Sequence, residues 1–486
     1  MAGFSLILQG VLAVVLTLLA LLSIQLFVLA YIRLTREAPR VRRPLLPDEA
    51  LPDVLVQLPV CDEGALAVRV AAAAAQLDWP RDKLEIQLLD DGSADRHEDL
   101  ATAVRAVVPE GVKFSILRRG ERSGFKAGNL AFGLLHSQAP FIAIFDADFV
   151  PQPDFLRRTV PALVADSGLA FVQARWGHAN RALNWLTRAQ GVLLDSHFAI
   201  EQEARFRAGI PFSFNGTAGV WRREAIENGG GWTGDTLTED LDLSVRCALK
   251  GWRAAMLPEI EVPGELPATA AAWRAQQARW TKGHAQVARK LLPHIWKSNL
   301  PGLVKACVTL QICQFSFYLL AGVTAAINLI LIYMGVKYIA AVASFGLIVT
   351  GLGLSASATY LWLGQKMLGR ERAPYLVPSI LLAIVFPTGL VLANARATYE
   401  AFSGAQMNFA RTPKAGMVQI GGWRGMPELF VGLMLPFFVL AEQAWSAPFF
   451  IFAVAGLLSI GGMGFSGSAV GAPRLTAARN DVPPAE

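Results

Sequence analysis

Long stretches without a charged residue constrain the fold of this chain more than any other feature. No Asp, Glu, Lys or Arg occurs before Arg33, and residues 306–336 and 338–365 are equally free of charge. Because about 20 apolar residues in a helix cross the hydrocarbon core of a bilayer, each stretch is long enough to span it. The first stretch lacks the basic start and short apolar core of a cleaved signal peptide, so we predict a retained membrane anchor.

Arginines mark the cytoplasmic side of that anchor. Five of them follow it directly, at positions 33, 36, 40, 42 and 43. The positive-inside rule predicts an N-terminus outside and residue 44 onward in the cytoplasm, in a multi-pass protein of the inner (plasma) membrane. The net charge is +6, but the arginines crowd beside the anchor rather than along an aromatic-studded groove. We therefore expect the lipid bilayer with its anionic headgroups as a partner, and no nucleic acid.

The cysteines exclude two kinds of structural site. The chain has four, and none of them has the Cys-x-x-Cys spacing that is typical of structural zinc. Because cytoplasmic proteins rarely keep disulfides, we predict four free thiols. They are Cys61, Cys247, Cys307 and Cys313.

Between residues 53 and 293, strand-like and helix-like segments alternate. Helical stretches such as 65–77 and 126–137 separate the strand-like ones. Apolar runs that are typical of buried strands occur at 53–60, 84–91, 113–119 and 141–148. Alternation of this kind predicts an α/β domain with a parallel, Rossmann-like sheet.

Acidic residues stand near the ends of these strands. Asp146 and Asp148 directly follow the apolar run FIAIF, at the edge where open α/β sheets bind ligands, although an isolated Asp-x-Asp also suits a solvated turn. Carboxylates gathered in one place repel one another unless a cation or a donor-rich ligand lies between them. A divalent metal on a nucleotide diphosphate supplies both. The other acidic residues of this pattern are Glu63, Asp90, Asp91, Glu239 and Asp240.

Four motifs in a fixed order carry a resemblance to a known family. DDG, DAD, TED and QQARW resemble the D, D, D, QxxRW signature of family 2 glycosyltransferases, which build β-linked polysaccharides. VQARWGHAN at 172–180, NGTAGVWR at 215–222 and QQARWTKG at 276–283 look closer still to the cellulose synthase-like mannan and glucan synthases of plants and their bacterial relatives. The similarity covers residues 50–290 densely and the later membrane part loosely.

The resemblance implies a cytosolic domain of the GT-A type, which is α/β and Rossmann-like, inserted between transmembrane helices. It also implies an Mg²⁺ or Mn²⁺ ion bound by Asp146 and Asp148, with Asp148 as the direct ligand. Lys126 would contact the phosphate or ribose, but it equally suits a solvated helix start. The full set that would bind the nucleotide sugar is Glu63, Asp90, Asp91, Lys126, Asp146 and Lys414.

The resemblance assigns the reacting group to the TED motif. Asp240, beside Glu239, matches the base that takes a proton from the acceptor hydroxyl during transfer with inversion. Thr236 and these two acidic residues also suit the capped start of a helix, and both roles are compatible.

QQARW supplies the expected acceptor and pyrophosphate contacts. Trp280 would form the floor of the acceptor site, while Arg279 or Gln276 would hold the leaving pyrophosphate. Without the other motifs, the same segment would suit an amphipathic helix with a buried Trp. The histidines form no ligand-like cluster, and we expect structural or acceptor-lining roles for three of them: His178, His197 and His284.

A loop in the membrane half resembles the family as well. FARTPKAG at 409–416 is similar to the FxVTxKG gating loop of cellulose synthases, with Arg411 in place of Val and one extra residue before the Gly. A loop that covers the nucleotide must be cytoplasmic, where Lys414 can meet a diphosphate. We therefore assign residues 374–403, which contain two prolines, to an interfacial helix, the alternative being a true span.

The predicted layout has eight segments. They are an N-terminal transmembrane helix (1–33), the cytosolic glycosyltransferase domain (44–295), an interface segment (296–305), two transmembrane helices (306–366), the interfacial helix (374–403), a gating-like cytosolic loop (404–425), a transmembrane hairpin (427–466) and a cytosolic tail (467–486).

These features predict an inverting, metal-dependent membrane glycosyltransferase. It would transfer hexose from UDP-glucose or GDP-mannose to a β-linked polysaccharide and pass the polymer outward through its own helices. One alternative is a single addition to a lipid acceptor such as ceramide or a polyprenyl phosphate, and another is a catalytically silent membrane scaffold. Because a sugar site distinguishes epimers by one or two hydrogen bonds, the choice between glucose and mannose stays open at this stage.

Overall fold

A computed structural model of the chain describes residues 2–370, 373–403, 427–433 and 448–465. An α/β domain lies between a first long helix and a later group of apolar helices. Its seven strands are β1 (Val54–Val60), β2 (Leu84–Asp90), β3 (Lys113–Arg118), β4 (Phe141–Ile144), β5 (Leu169–His178), β6 (Gly219–Arg222) and β7 (Arg253–Gly264). They form one sheet in the order β3-β2-β1-β4-β6-β5-β7.

The direction of one strand differs from the parallel sheet that we predicted. The strands β3, β2, β1 and β4 run parallel, as do β5 and β7. β6 pairs antiparallel with both of its neighbours, so the sheet is mixed. A four-residue strand carries no direction signal in its sequence. Its direction depends on where the long connection after β5 returns to the sheet.

The helices of this part pack on both faces of the sheet. Alternate residues of β1 point to opposite faces, because side chains alternate along a strand. Val56 joins a cluster with Ala71 on one face, and Leu55 joins a cluster with Leu130 on the other. The helices in chain order are α1 (Ala2–Thr35), α2 (Ala65–Ala75), α3 (His97–Arg105), α4 (Phe125–Leu134), α5 (Phe155–Ala165), α6 (Trp185–Ser196), α7 (Glu203–Arg207), α8 (Arg223–Asn228), α9 (Glu239–Leu249) and α10 (Ala270–Lys297).

Apolar helices make up the rest of the described chain. Three are long and apolar enough to cross a membrane, namely α1, the pair α11–α12 joined by a short 3₁₀ turn, and α13. α14 and α15 are bent by 47° relative to each other and would make a fourth crossing only if they form one span. These later helices are α11 (Gly302–Ile312), α12 (Ser316–Tyr333), α13 (Ala340–Leu368), α14 (Ala373–Thr388), α15 (Val391–Ser403), α16 (427–433) and α17 (Pro448–Phe465).

Polar contacts fix the α/β domain to the apolar helices. At the end of α1, Arg33 Nε donates a hydrogen bond to the carbonyl of Ala199 at 2.8 Å. Near the end of α13, Gln365 Nε2 donates to the buried carboxylate of Asp195 at 3.1 Å. Both partners lie on the helical segment between β5 and β6, which therefore joins the sheet to the apolar helices.

Candidate active site

Lys126 joins three of the segments that carry the sequence motifs. It lies in the first turn of α4, and its Nζ donates to Asp146 Oδ1 at 2.5 Å and to the carbonyl of Gly216 at 2.8 Å. The same ammonium lies 3.9 Å from Glu239 Oε1. DAD, NGT and TED thus meet around one lysine, as the sequence motifs predict for a shared site.

Asp240 lies in the first turn of α9, under the NGT loop. Its Oδ1 accepts the backbone N–H of Leu241 at 2.8 Å. Gly216 has a φ of +77°, and a Cβ at this position would lie 3.1 Å from Asp240 Oδ2, so a glycine lets the loop approach the carboxylate. Thr238, the residue before the helix, makes no side-chain capping bond within the described chain. The acidic pair itself therefore supplies the negative charge at this helix start.

Two acids of this site, Glu239 and Asp240, have raised pKa values, chiefly because they are buried. Burial, together with the adjacent Glu239, raises the pKa of Asp240 to about 7. Burial also raises the pKa of Glu239, although the Lys126 ammonium opposes that shift. For Lys126, burial favours the neutral amine, but Asp146 and Glu239 outweigh it and raise the pKa. A carboxylate with a pKa near 7 is suited to accept a proton at physiological pH.

The QxxRW helix packs directly against the TED segment. A Cβ at Gly283 of α10 would lie 2.5 Å from Thr238 Cγ2, so only a glycine permits this close approach. About one turn earlier on α10, Arg279 interacts electrostatically with the site's acidic residues, while burial lowers its pKa. These residues are Glu239, Asp146, Asp240 and Asp148. The arginine therefore faces the same acidic group that Lys126 contacts.

A cavity of about 630 Å³ lies next to the QxxRW helix. Gln276 and Trp280 line it on the α10 side. The cavity continues between α1, α12 and α13 as far as Asn328 and Thr350, and Gln, Ser, Thr and Asn side chains occur along it. The QxxRW helix therefore borders a partly polar space between apolar helices.

The DDG carboxylates are held by ion pairs with the end of β3. Asp90 accepts from Arg118 Nη1 at 3.0 Å and contacts His97 Nδ1 at 2.6 Å. Asp91 forms a two-bond pair with Arg119, at 2.7 and 2.6 Å. Our sequence analysis missed both arginines, although the LRR at the end of the third strand-like run placed them beside DDG. Their pairing fixes the DDG turn, and the nucleotide contacts of Asp90 and Asp91 stay a prediction.

The remaining predicted residues lie in loops that follow strands or outside the described residues. Glu63 follows β1 and accepts the backbone N–H of Cys61 at 3.2 Å. Asp148 is buried just after β4. Thr217, another residue that we missed, accepts the backbone N–H of Asp146 at 2.9 Å through its hydroxyl, which anchors DAD to the NGT loop. Lys414 and the gating-like loop lie outside the described residues.

The acidic residues of the site suit a divalent cation that a substrate also binds. In the described part of the chain, no three His, Cys, Asp or Glu side chains are arranged as a complete metal site. Asp146 and Asp148 nevertheless supply hard carboxylate oxygens, and Mg²⁺ typically takes one or two of these with phosphate oxygens. Burial and then the adjacent Glu239 raise the pKa of Asp240, and a cation nearby would relieve the repulsion between these two acids.

Comparisons with known proteins agree with the motifs. Residues 141–354 match the model of glycosyl transferase family group 2. Glucomannan 4-beta-mannosyltransferase 1 of Oryza sativa subsp. japonica is 40% identical over 285 residues, which are 56% of this chain and 55% of that protein. Glucomannan 4-beta-mannosyltransferase 7 of Arabidopsis thaliana is 40% identical over 280 residues, which are 57% of this chain and 50% of that protein. The chain thus spans about half the length of these curated relatives.

A solved structure supports the fold. The mannosyltransferase PcManGT from Pyrobaculum calidifontis, in complex with GDP-Man and Mn²⁺, superposes with a TM-score of 0.56. It is 21% identical and the superposition covers 82% of this chain and 100% of that one, so the likeness concerns the fold. The predicted family and fold class are confirmed. Residues 141–354 thus match the family 2 glycosyltransferases, the chain is similar over more than half of its length to glucomannan mannosyltransferases, and it has a GT-A-like α/β domain beside apolar helices.

Proposed function

We propose that this protein transfers mannose from GDP-mannose to the end of a β-linked glycan, with inversion at the anomeric carbon. The names of the rice and Arabidopsis relatives, both glucomannan 4-beta-mannosyltransferases, support mannose as the sugar. The Pyrobaculum structure contains GDP-Man, which supports the same donor. UDP-glucose is the competing donor, and the assay below distinguishes the two.

One observation carries this proposal. Asp240, with a pKa raised to about 7, belongs to the same group of charges as Arg279, one residue before Trp280 on α10. Trp280 lines the cavity between the apolar helices. An indole face stacks on the apolar side of a sugar ring, so a glycan end resting on Trp280 would present its hydroxyl toward the base. Geometry of this kind suits transfer to a sugar rather than to water.

The reaction is a single displacement. Asp240 takes the proton of the acceptor hydroxyl while that oxygen forms a bond to the anomeric carbon of the donor. The bond from this carbon to the diphosphate oxygen breaks, and its electron pair leaves with the diphosphate. The configuration inverts because the hydroxyl approaches from the face opposite the leaving group. Arg279 presents a planar fork that binds the diphosphate oxygens as their charge increases.

Other residues position the donor. Asp146 and Asp148 would hold Mg²⁺ or Mn²⁺, which neutralises charge on the diphosphate when it is bound. Lys126, fixed by Asp146 and the Gly216 carbonyl, adds a positive charge at the same place. Asp90 and the neighbouring DDG residues would bind the nucleoside, on a turn that the arginines after β3 keep rigid.

The cavity supports elongation coupled to export. The cavity extends from the QxxRW helix into the space between α1, α12 and α13. Polar side chains from these three helices line part of it. A cavity of about 630 Å³ lies within the range that ligand sites occupy, and it offers hydrogen bonds to a glycan that lipid tails cannot use. We propose that the growing polymer leaves through this space.

Contacts at both ends of the bent pair α14–α15 support its assignment to the interface. Near the start of α14, the Arg188 guanidinium of α6 lies 4.4 Å from the ring centroid of Tyr375. Near the end of α15, Glu400 forms an ion pair with Lys282 of α10 at 3.3 Å. Because both ends meet the same α/β domain, we propose that the pair begins and ends on the cytoplasmic side of the membrane.

Labelled donors test the proposed function. Membranes that contain the protein are washed and given radiolabelled GDP-mannose or UDP-glucose with Mg²⁺ or Mn²⁺, and membranes with Asp240→Asn serve as the control. Label from GDP-mannose in a polymer that β-mannanase digests would support the proposal. Label in a lipid extract would indicate single addition to a lipid acceptor, and no incorporation from either donor would contradict a transferase.

A further inference from the structure

A turn of π-helix interrupts the helical segment that forms one wall of the cavity. It covers His197–Gln202, between α6 and α7, where the backbone would otherwise continue as one regular helix. π-helical turns are rare in proteins and occur frequently at functional sites. Neither the acid–base step nor the binding of the diphosphate uses this turn.

His197 connects the turn to the NGT loop. Its Nδ1 lies 3.0 Å from Glu201 Oε2, and its Nε2 lies 3.0 Å from Asn215 Nδ2. The two contacts are compatible in a neutral imidazole, where Nδ1–H donates to the carboxylate and Nε2 accepts from the amide. Asn215 directly precedes Gly216, the glycine that lies against Asp240. The orientation of His197 is therefore fixed from both sides, close to the base.

Glu201 is a fixed negative charge beside this histidine. Burial alone would raise the pKa of Glu201, but His197 and Arg205 lower it to about 2. Its Oε1 accepts from Arg205 Nη2 at 3.2 Å and from Gln314 Nε2 at 2.7 Å. Gln314 belongs to the turn between α11 and α12, so the carboxylate also ties the α/β domain to an apolar helix.

The polar side chains of this turn line the same cavity as the QxxRW helix. His197, Glu201 and Gln314 line it together with Gln276 and Trp280. Trp280 offers an apolar ring face, whereas the π-helical turn offers an imidazole and a carboxylate, and Gln314 offers an amide. A sugar ring presents the complementary set, because its C–H groups cover one face and its hydroxyls surround the edge.

We propose that Glu201 and Gln314 form an acceptor subsite that binds the hydroxyl groups of a glycan resting on Trp280, and that His197, whose ring nitrogens contact Glu201 and Asn215, positions the carboxylate. The inference rests on the proposed function and adds the residues that recognise the acceptor. Carboxylate and amide oxygens accept hydrogen bonds, which sugar hydroxyls can donate and an ionised phosphate cannot. The subsite therefore suits an oligosaccharide better than a lipid phosphate as the acceptor.

Acceptor kinetics of the purified full-length protein test this subsite. The probe is a mannan oligosaccharide at varied concentration with saturating GDP-mannose, and hydrolysis of GDP-mannose without acceptor is measured in parallel. His197→Phe keeps a ring but removes the contacts to Glu201 and Asn215 that position the subsite. We therefore expect the KM for the oligosaccharide to rise about tenfold or more, and a tenfold change corresponds to about 1.4 kcal/mol. The KM for GDP-mannose and the rate of its hydrolysis should not change.

Two further variants and a control complete the design. His197→Asn returns one hydrogen-bonding group and should restore part of the acceptor affinity. Gln314→Leu should raise the acceptor KM in the same way, and it provides the test if His197→Phe does not fold. His136→Phe makes the same exchange in the exposed turn that follows α4, outside the cavity, and should behave as the unsubstituted protein.

Specific results would overturn the inference. If His197→Phe and Gln314→Leu leave the acceptor KM unchanged, or raise the KM for GDP-mannose instead, the turn has only a structural role. A preference of the unsubstituted protein for a polyprenyl phosphate over the oligosaccharide would also overturn the inference. The proposed function fails in a different way, when the unsubstituted protein transfers no sugar to any acceptor, and the subsite then fails with it.

Discussion

Asp240→Asn is the substitution that examines the chemistry most directly. Asparagine has nearly the same size, and its side-chain oxygen can still accept the backbone N–H of Leu241, as Asp240 does at 2.8 Å. The amide cannot take a proton from the acceptor. Because a positioned general base contributes about 10²- to 10⁴-fold to a rate, we expect kcat to fall by that factor. Binding of GDP-mannose should not weaken, since the substitution removes a negative charge near the diphosphate.

The pH dependence of activity in the unsubstituted protein tests the role of Asp240 in a second way. With the pKa of Asp240 raised to about 7, the carboxylate is protonated below that pH and cannot act as a base. About a tenth of the molecules would have an ionised Asp240 at pH 6 and about nine tenths at pH 8, so activity should rise roughly tenfold between them. Glu239→Gln removes the neighbouring charge and should move this rise to lower pH.

The assay compares initial rates of mannose transfer with donor binding measured separately by calorimetry. Asp235→Asn is the matched control, because Asp235 lies in the loop before TED and its side chain is 56% exposed. This control should keep both activity and donor affinity. Turnover of Asp240→Asn within about threefold of the unsubstituted rate would be far below the general-base range and would remove Asp240 from the role of base.

Three further predictions follow from the packing of the site and the membrane part. Arg279→Lys replaces a planar fork by a point charge, so kcat should fall at least tenfold in the same transfer assay while the protein stays folded. Gly283→Ala places a methyl group 2.5 Å from Thr238 Cγ2, and this overpacking should lower the free energy of unfolding by about 1–3 kcal/mol and reduce activity, as thermal unfolding and transfer assays will measure. In a variant without the four native cysteines, Tyr399→Cys should react with an impermeant maleimide only from the cytoplasmic side of sealed vesicles, because Tyr399 is 73% exposed near the end of α15. Labelling from the outer side would show that α14–α15 spans the membrane.

Several parts of the fold were predictable because they rest on local patterns. The run FIAIF followed by Asp146 and Asp148 placed a strand end, and β4 ends at Ile144 in the structure. The uncharged stretches likewise predicted the positions of α1, α12 and α13. The order of the motifs also predicted that Lys126 and Asp240 belong to one site. The spacing of the motifs along the chain does not give the distance between the two side chains.

Other parts depend on contacts between distant segments. The pairing of Asp91 with Arg119 joins two neighbouring strands, and either residue alone suits a solvated turn. The π-helical turn is invisible in the sequence, because its residues are equally suited to a regular helix. The antiparallel direction of β6 and the close approach of Gly283 to Thr238 likewise result from packing that no short pattern encodes.

The central claim is that the acidic motifs and the QxxRW helix form one site at the mouth of the intramembrane cavity. Cryo-electron microscopy of the protein in a lipid nanodisc with GDP-mannose and Mn²⁺ tests it most directly. We expect the diphosphate between Arg279 and the carboxylates of Asp146 and Asp148, with the mannose facing Asp240 and the cavity opening at Trp280. A donor bound elsewhere, or a Trp280 separated from the donor by the protein wall, would contradict it.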